Sequence, residues 1–342
     1  MVEHALKISG LMLGWYAFRH VKKARLTDPT IPLSKITVIV PARNESRNLR
    51  ALLPSLARAG LDDVIVVNDQ SEDDTAEIAR GFGCQVLDAA ALPPGWTGKT
   101  WACCQGARVA KRAWLLFLDA DCTVEPGARW GSVETRETVF SYLPYHRVSQ
   151  PYEQLSSFFN LLMAAGVMTK PAKLFGQCLL IQRETYLSKT SHERVSDKVL
   201  ENLHLADDLL AEGIEVRSFC GEGVVSMRMF PEGPRQMHQS WLKAFASGAT
   251  RVRPPDLVLI IGWISIASYA GYSALFTPGI AALVHYALYA AQIHSFQRRV
   301  GSYRGWSALG FVVPLTYFHL LFTFSAVRKF LGISVAWRGR RV

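Results

Sequence analysis

Apolar and polar positions alternate along the first part of the chain in blocks whose lengths separate strands from helices. Ile36 to Val40 is a short β-branched run closed by Pro41, which predicts a buried strand. The stretch near Glu45 to Ala59 carries Leu49, Leu52, Leu53 and Leu56 at helical spacing, with Pro54 placed to bend it. Val64 to Val67 predicts a second strand ending at Asn68 and Asp69. Ser71 and Asp73 can then cap a helix in which Ile78 and Phe82 share one face. Cys84 to Leu87 as a strand, Thr100 to Lys111 as a helix and Trp114 to Leu118 as a fourth strand complete the series. The alternation predicts an α/β fold, a mostly parallel sheet with helices on both faces.

The pattern changes near the C-terminus. Leu257 to Phe276 is 20 residues without a charge, Gly279 to Phe296 another 18, and Trp306 to Val327 another 22. A helix crosses the hydrocarbon with about 20 apolar residues, so these segments predict membrane helices at about 257–276, 279–296 and 306–327. A shorter run, Ile8 to Phe18, is followed by Arg19, His20, Lys22, Lys23 and Arg25; it is either a short signal anchor or an amphipathic helix lying on the membrane. The expected organisation is therefore a membrane-associated segment over 1–25, a soluble domain over 33–250, membrane segments within 256–330 and a basic tail over 331–342. The helical stripe of Leu155, Phe158, Phe159, Leu162, Met163 and Gly166 reads first as core, with an acceptor channel as the alternative.

The net charge of +10 gathers around the apolar segments: Arg251 and Arg253, then Arg298, Arg299 and Arg304, then Arg328, Lys329, Arg338, Arg340 and Arg341. Such flanks mark the cytoplasmic side and attract anionic lipid, which makes a multi-pass cell-membrane protein the expectation and a nucleic acid an unlikely partner. Three full crossings would put the loop at Arg298 and the basic tail on opposite sides. The third segment, interrupted by Pro314, is the candidate for a re-entrant or interfacial path, and the topology stays open. Six cysteines show no Cys-x-x-Cys spacing, which disfavours zinc and a disulfide framework and is consistent with a reducing face.

Candidate chemistry lies at the strand ends. The apolar run Trp114 to Leu118 stops at Asp119-Ala120-Asp121, and carboxylates at the C-terminal edge of a parallel sheet suit a hard divalent cation. Alone, this pair is also what a polar turn looks like. Asp69 ends the second strand on the same edge, where it can accept from a base imide or a ribose hydroxyl, so together these acids predict a nucleotide-diphosphate site. No Gly-x-Gly-x-x-Gly follows the first strand and no full phosphate loop surrounds Gly98-Lys99-Thr100, which disfavours dehydrogenase and P-loop chemistry.

Taken in order, Ile39-Val40-Pro41-Ala42-Arg43-Asn44-Glu45, Val66 to Thr75, Gly98-Lys99 with Gln105-Gly106, and Asp119-Ala120-Asp121 closely resemble the motifs of family 2 glycosyltransferases with the GT-A fold, over about 200 residues. The resemblance implies an inverting hexosyltransferase on a Rossmann-like sheet. In it Asp69 contacts the uracil of a UDP-sugar, Asp119 the ribose, and Asp121 a Mg2+ or Mn2+ ion; Pro41, Glu45, Ser71, Lys99 and Arg228 fall at or near the nucleotide sugar. A narrower likeness runs through Pro93 to Lys99, Met227 to Gly233, Ser240-Trp241 to Ala249, Gln297 to Gly301 and Trp337 to Arg340. These stretches look like carotenoid glycosyltransferases acting on diaponeurosporenoate. The likeness implies a glucose donor, a C30 carotenoid acid as lipophilic isoprenoid acceptor, a staphyloxanthin-like product, and membrane lipid and other carotenoid-pathway enzymes as partners. A hopanoid, a polyprenyl phosphate or a glycolipid is the alternative acceptor, and a catalytically silent UDP-sugar-binding protein the alternative class.

The third catalytic element departs from the family pattern. Where many members carry two acids, this chain has Glu201-Asn202, with Asp207 and Asp208 about two helical turns later. If the second acid is normally the base, Asn202 cannot do that work and either Glu201 does or nothing does; Asn202, Asp207 and Asp208 are weaker candidates for a part in catalysis. An acceptor that is itself a carboxylate would tolerate the change, because it has no proton to lose. His238, before Trp241, is a further helper candidate; His285, His294 and His319 read as helix-packing histidines.

Overall fold

The computed structural model describes residues 1–24, 29–133, 137–198, 201–248, 252–331, 336–337 and 340–341. Arg25, Val199, Leu200, Ala249, Arg251, Arg338 and Gly339 lie outside them, and of the basic tail only 331, 336–337 and 340–341 are described. The chain forms two compact units, one of Lys23–Tyr145 with Lys170–Arg228, the other of Met1–Lys22, His146–Thr169 and Met229–Val342.

In chain order, α1 (Val2–Ala17) precedes β1 (Ile36–Ala42), α2 (Ser46–Arg58), β2 (Val64–Asn68), α3 (Thr75–Gly81), β3 (Gln85–Asp88), α4 (Gly98–Val109) and β4 (Trp114–Leu118). Then follow β5 (Cys122–Val124), β6 (Thr138–Leu143), β7 (Tyr145–His146), α5 (Ser157–Val167), β8 (Cys178–Gln182), α6 (Arg183–Ser188), α7 (Glu201–Ala211), β9 (Glu215–Cys220) and β10 (Val225–Met227). The C-terminal helices are α8 (Pro234–Gly248), α9 (Pro254–Phe276), α10 (Ile280–Val300), α11 (Gly305–Leu309) and α12 (Val312–Phe330).

The first unit is built on a seven-stranded sheet ordered β3-β2-β1-β4-β8-β6-β9. The first four strands in sequence pair in parallel, β8 runs antiparallel between β4 and β6, and β6 pairs in parallel with β9. The sheet is therefore α/β and mostly parallel. Its central strands are buried on both faces, which is why β1, β2 and β4 read as continuous apolar runs and not as alternations. Leu49, Leu52, Leu53 and Leu56 form the buried face of α2, as their spacing requires. Core residues such as Ile39, Val67 and Phe117 are each worth about 1.5–3 kcal/mol of transfer free energy. Gly106 lets α4 approach: a Cβ there would lie 2.6 Å from Ile39 Cγ2. One detail differs from the sequence reading. Phe82 is half exposed and does not share the face of Ile78, because α3 ends at Gly81 and the chain turns through Gly83 at φ +76°.

In the second unit α1 packs on α9 and α10. Gly10 and Gly14 permit this, since a Cβ at either would overlap Tyr289 and Ile266 or Trp263. Lys7 is fully buried here, its Nζ 2.7 Å from both Glu3 Oε1 and Ser273 Oγ. Phe158 and Phe159 are buried, so that part of the α5 stripe is core. His319 pairs with Ser268 at 2.9 Å and His285 with the Ala281 carbonyl at 2.6 Å, as packing histidines do. Helices α9, α10 and α12 cover the three expected apolar segments, but among the described residues α9 alone is long and apolar enough to cross a membrane. The three also expose large apolar side chains, among them Ile261, Phe276, Leu283, Leu288, Leu320 and Phe324.

Candidate active site

The parallel register aligns the strand ends. Ala42 of β1 stands opposite Asn68 of β2, and Ile39 opposite Phe117 of β4, so Asp69 and Asp119 leave the sheet on one edge. The loops after β1 and β2 are stitched together there. The backbone N–H of Asn44 donates to Ser71 Oγ (3.0 Å), that of Glu45 to Thr75 Oγ1 (2.9 Å), that of Glu72 to Asn44 Oδ1 (2.8 Å) and that of Ser46 to Asp73 Oδ2 (3.2 Å). Asn44 and Gln70 adopt left-handed backbone at φ 55° and 54°, a strained conformation that rigid surroundings must maintain. Asp73 also accepts from Thr75 N, and burial is outweighed by the Thr75 and Ser46 hydrogen bonds, which hold its carboxyl below the usual range. Asp73 is thus the effective cap of α3, while Ser71 ties the two loops.

Asp69 is buried, its backbone N–H bonded to the Ala42 carbonyl (2.8 Å) and its carboxylate 3.9 Å from Arg43 Nη1. It lies against the first turn of α4, where a Cβ on Gly98 would overlap its Oδ2. Helix α4 starts two residues earlier than the apolar spacing predicts because Thr97 caps it, its Oγ1 accepting from Thr100 N at 3.3 Å. That start brings Lys99 onto the same edge. Its Nζ is 2.7 Å from Asp119 Oδ1, 3.5 Å from Glu201 Oε1 and 3.0 Å from the Gly176 carbonyl. Burial opposes the Lys99 charge, but Asp119 and then Glu201 overcome it and push the ammonium well above the ordinary lysine range. The three residues form one ion-paired group at a small pocket that Pro41 also lines.

Asp121 stands in the turn between β4 and β5, exposed at the surface yet crowded. Desolvation by the protein around it, then Asp119, then Glu45, push its carboxyl up to about 7. Strand β10 pairs with β5 so that Met227 faces Cys122, and Arg228 and Asp121 are the residues that adjoin this last pair. No cluster of three or more His, Cys, Asp or Glu side chains able to hold a metal occurs among the described residues. The donor set still suits a magnesium-like ion, which characteristically uses one or two carboxylates and takes its other ligands from phosphates and water. A cation there would offset the repulsion from Asp119 and Glu45 that adds to desolvation in raising Asp121.

The remaining candidates separate. Glu201 opens the described part of α7 and is buried in the pocket beside Lys99. Asn202 Nδ2 donates to the Leu174 carbonyl, so its amide holds backbone. Asp207 pairs with Lys173, and neither Asp207 nor Asp208 lines the pocket. His238 belongs to the other unit, with Nδ1 3.5 Å from the Tyr317 hydroxyl. Gly176 and His192, which also line the pocket, escape sequence reasoning because neither sits in a patterned segment.

His192 gives the unit an acid sensitivity. Burial, and to a lesser extent Lys99, pull its imidazole down to about 3, so the ring is neutral when folded and protonates near 6.5 only when unfolded. Stability contributed by the neutral form is complete above 6.5 and is lost as pH falls below it, by about 2 kcal/mol at pH 5. The urea midpoint of the detergent-solubilised chain is therefore expected to drop between pH 7 and pH 5, and the drop to shrink in His192→Gln. An equal drop in both proteins would contradict this assignment.

Comparison with known proteins agrees with this arrangement. Residues 37–133 match the family described as glycosyl transferase family 2. The chain is 29% identical to 4,4'-diaponeurosporenoate glycosyltransferase of Staphylococcus aureus (strain USA300), covering 94% of this chain and 92% of that protein. Identity to the protein of the same name from Staphylococcus haemolyticus (strain JCSC1435) is 33%, covering 69% and 68%. Among solved structures, a mannosyltransferase from Pyrobaculum calidifontis in complex with GDP-Man and Mn2+ superposes with a TM-score of 0.54 at 20% identity, over 96% of this chain and 99% of that one. The superposition shows a shared GT-A-like fold.

Proposed function

Because the chain belongs to glycosyl transferase family 2, and is thus a glycosyltransferase, we propose that it moves a hexose from a UDP-sugar to the carboxylate of a lipophilic isoprenoid acid. The observation that carries the acceptor class is the state of the third element: Glu201 is neutralised by Lys99, and Asn202 is spent on the Leu174 carbonyl. Among the described residues Glu201 is the only carboxylate of this element at the pocket, so proton removal from a hydroxyl would rest on this one group, which Lys99 already engages. A carboxylate is ionised at neutral pH and needs no base. The name of the relatives, which specifies diaponeurosporenoate, supports a C30 carotenoid acid as acceptor; glucose is the hexose this proposal assigns.

In this reading Asp69 accepts from the uracil imide, and the stitched loops through Ser71 and Glu45 hold its place. Asp119 takes the ribose, while Lys99 and Arg228 donate to diphosphate oxygens. Asp121 and Asp119 would hold a divalent cation, which would supply charge neutralisation at the diphosphate. The acceptor carboxylate oxygen bonds to the anomeric carbon as its bond to the diphosphate oxygen breaks; UDP leaves with the electron pair, no proton is released, and the configuration inverts. A product retaining the donor's anomeric configuration would contradict this single displacement.

A lipid acceptor requires a membrane. The exposed apolar side chains of α9, α10 and α12 support a multi-pass cell-membrane enzyme with the sheet unit on the cytoplasmic side. Expressing the chain in cells with and without a carotenoid acid, then separating their lipids, tests the acceptor. A glycosylated species that depends on the acid supports it; one formed equally without it points to a hopanoid, polyprenyl phosphate or glycolipid.

Gly98→Ala provides a local check on the nucleotide site. A Cβ must displace the Asp69 carboxylate, so UDP affinity is expected to fall about 10-fold by calorimetric titration, with little change in the folding midpoint. Unchanged affinity would remove Asp69 from the site.

A further inference from the structure

The pocket beside Lys99 has a floor to which the reaction assigns no part. His192 lies in that floor, only 4% exposed, its ring 5.0 Å from that of Phe117 in an edge-on contact. The loop that carries it is tied to α4, the helix that presents Lys99. The Ser196 carbonyl accepts from Thr97 N (2.9 Å) and Thr100 Oγ1 (3.0 Å), and Glu193 pairs with Arg108 at 3.1 Å. The imidazole is thus fixed relative to the pocket by three contacts on one helix.

Tyr186 decides which nitrogen of the ring carries the proton. Its hydroxyl oxygen accepts from the His192 backbone N–H at 3.1 Å and lies 2.7 Å from His192 Nδ1. Tyr186 is 1% exposed, and Nδ1 is the one acceptor its proton has among the described residues. If Nδ1 carried a proton, the buried phenol O–H would be left unsatisfied, at the cost of an unmade hydrogen bond. Nδ1 therefore accepts, and Nε2 bears the hydrogen of the neutral ring. Nε2 has no protein partner among the described residues and is not one of the fully enclosed polar atoms, so water or a ligand can reach it. A donor with no protein partner at such a place is free to bond an acceptor that a ligand brings.

We propose that His192 is a specificity-determining residue that donates its Nε2–H to one hydroxyl oxygen of the transferred sugar. The proposal rests on the UDP-sugar reading of the same site. The pocket offers both kinds of partner for a hydroxyl: the Glu201 carboxylate can accept, and His192 can donate. Phe117 and Leu179 supply the apolar surface beneath. Burial keeps the imidazole neutral at working pH, so the donor is constant and not a titrating group.

The test uses the full chain in membranes, with UDP-glucose and its 2-, 3-, 4- and 6-deoxy analogues as donors. For the wild type, kcat/KM is expected to fall about 10- to 100-fold for one analogue, the one lacking the paired hydroxyl. His192→Leu should lose the same factor on UDP-glucose and cease to distinguish that analogue. His192→Gln, which keeps an N–H near the Nε2 position, should retain most of the discrimination. Tyr186→Phe, which frees the tautomer while conserving ring volume, should lose part of it. Affinity for UDP alone should be equal in all four proteins. Wild-type discrimination against all analogues in His192→Leu would overturn the proposal while leaving the donor reading intact, as would an equal loss for UDP alone. A wild type that neither binds UDP nor transfers from any UDP-sugar would overturn both.

Discussion

Asp121→Asn is expected to lower transfer about 10³-fold or more while leaving the fold intact. Asp121 is exposed in a turn and carries no core contact, so its replacement removes little packing. What it removes is charge. Desolvation, then the charges of Asp119 and Glu45, push the Asp121 carboxyl to about 7, and in the proposed mechanism this group of acids is what would attract a divalent ion. In Asp121→Asn the amide supplies an oxygen but no charge, and Asp119 remains engaged by Lys99 at 2.7 Å. The loss should fall on kcat, and raising Mn2+ should recover a part of it. The measurement is donor turnover at fixed acceptor across a metal titration, alongside a thermal melt. Activity within a few-fold of wild type would remove Asp121 from the centre.

Glu201→Gln separates two kinds of acceptor. With a carboxylate acceptor the change is expected to cost little, because no proton has to be removed; with a hydroxyl acceptor the loss should be about 10²-fold or more. Glu201 is buried and 3.5 Å from Lys99, so the neutral amide also frees Lys99 to pair with Asp119 alone. That rearrangement predicts a modest rise in KM for the donor with either acceptor, separate from the effect on kcat. Side-by-side kinetics with a carotenoid acid and the corresponding alcohol make the comparison. A large loss on the carboxylate would assign Glu201 a role other than that of a base and would undercut the explanation for Asn202.

The strands and acids of the nucleotide half were legible in the chain because their causes are local. Trp114 to Leu118 is a strand in structure as in sequence, since nothing but a doubly buried strand suits five apolar residues ending in two acids. Asp69 and Asp119 share an edge because parallel register, once granted, leaves no other place for them. The insertion of antiparallel β8 between β4 and β6 was not legible, because it depends on a pairing between segments 60 residues apart in sequence. Nor was the meeting of Lys99 with Glu201, which lie on α4 and α7 and come together only through the core beneath. His192 left no periodic signal at all. Its place is set by hydrogen bonds of Ser196, Tyr186 and Glu193, none of which falls in a periodic pattern. The apolar C-terminal segments were plain as runs. Their helices carry glutamines and arginines at one end of α10 and a Pro inside the third segment, which is why α9 alone has the length and apolarity of a full crossing.

The central claim is metal-assisted transfer of a sugar to a lipid carboxylate. Membranes containing the protein, given labelled UDP-glucose and a C30 carotenoid acid, are predicted to yield a labelled lipid that mild alkali releases as free sugar, as an ester must, and that fails to form when a chelator is present. Label in no lipid, label that resists alkali, or full labelling in the presence of chelator would contradict the account.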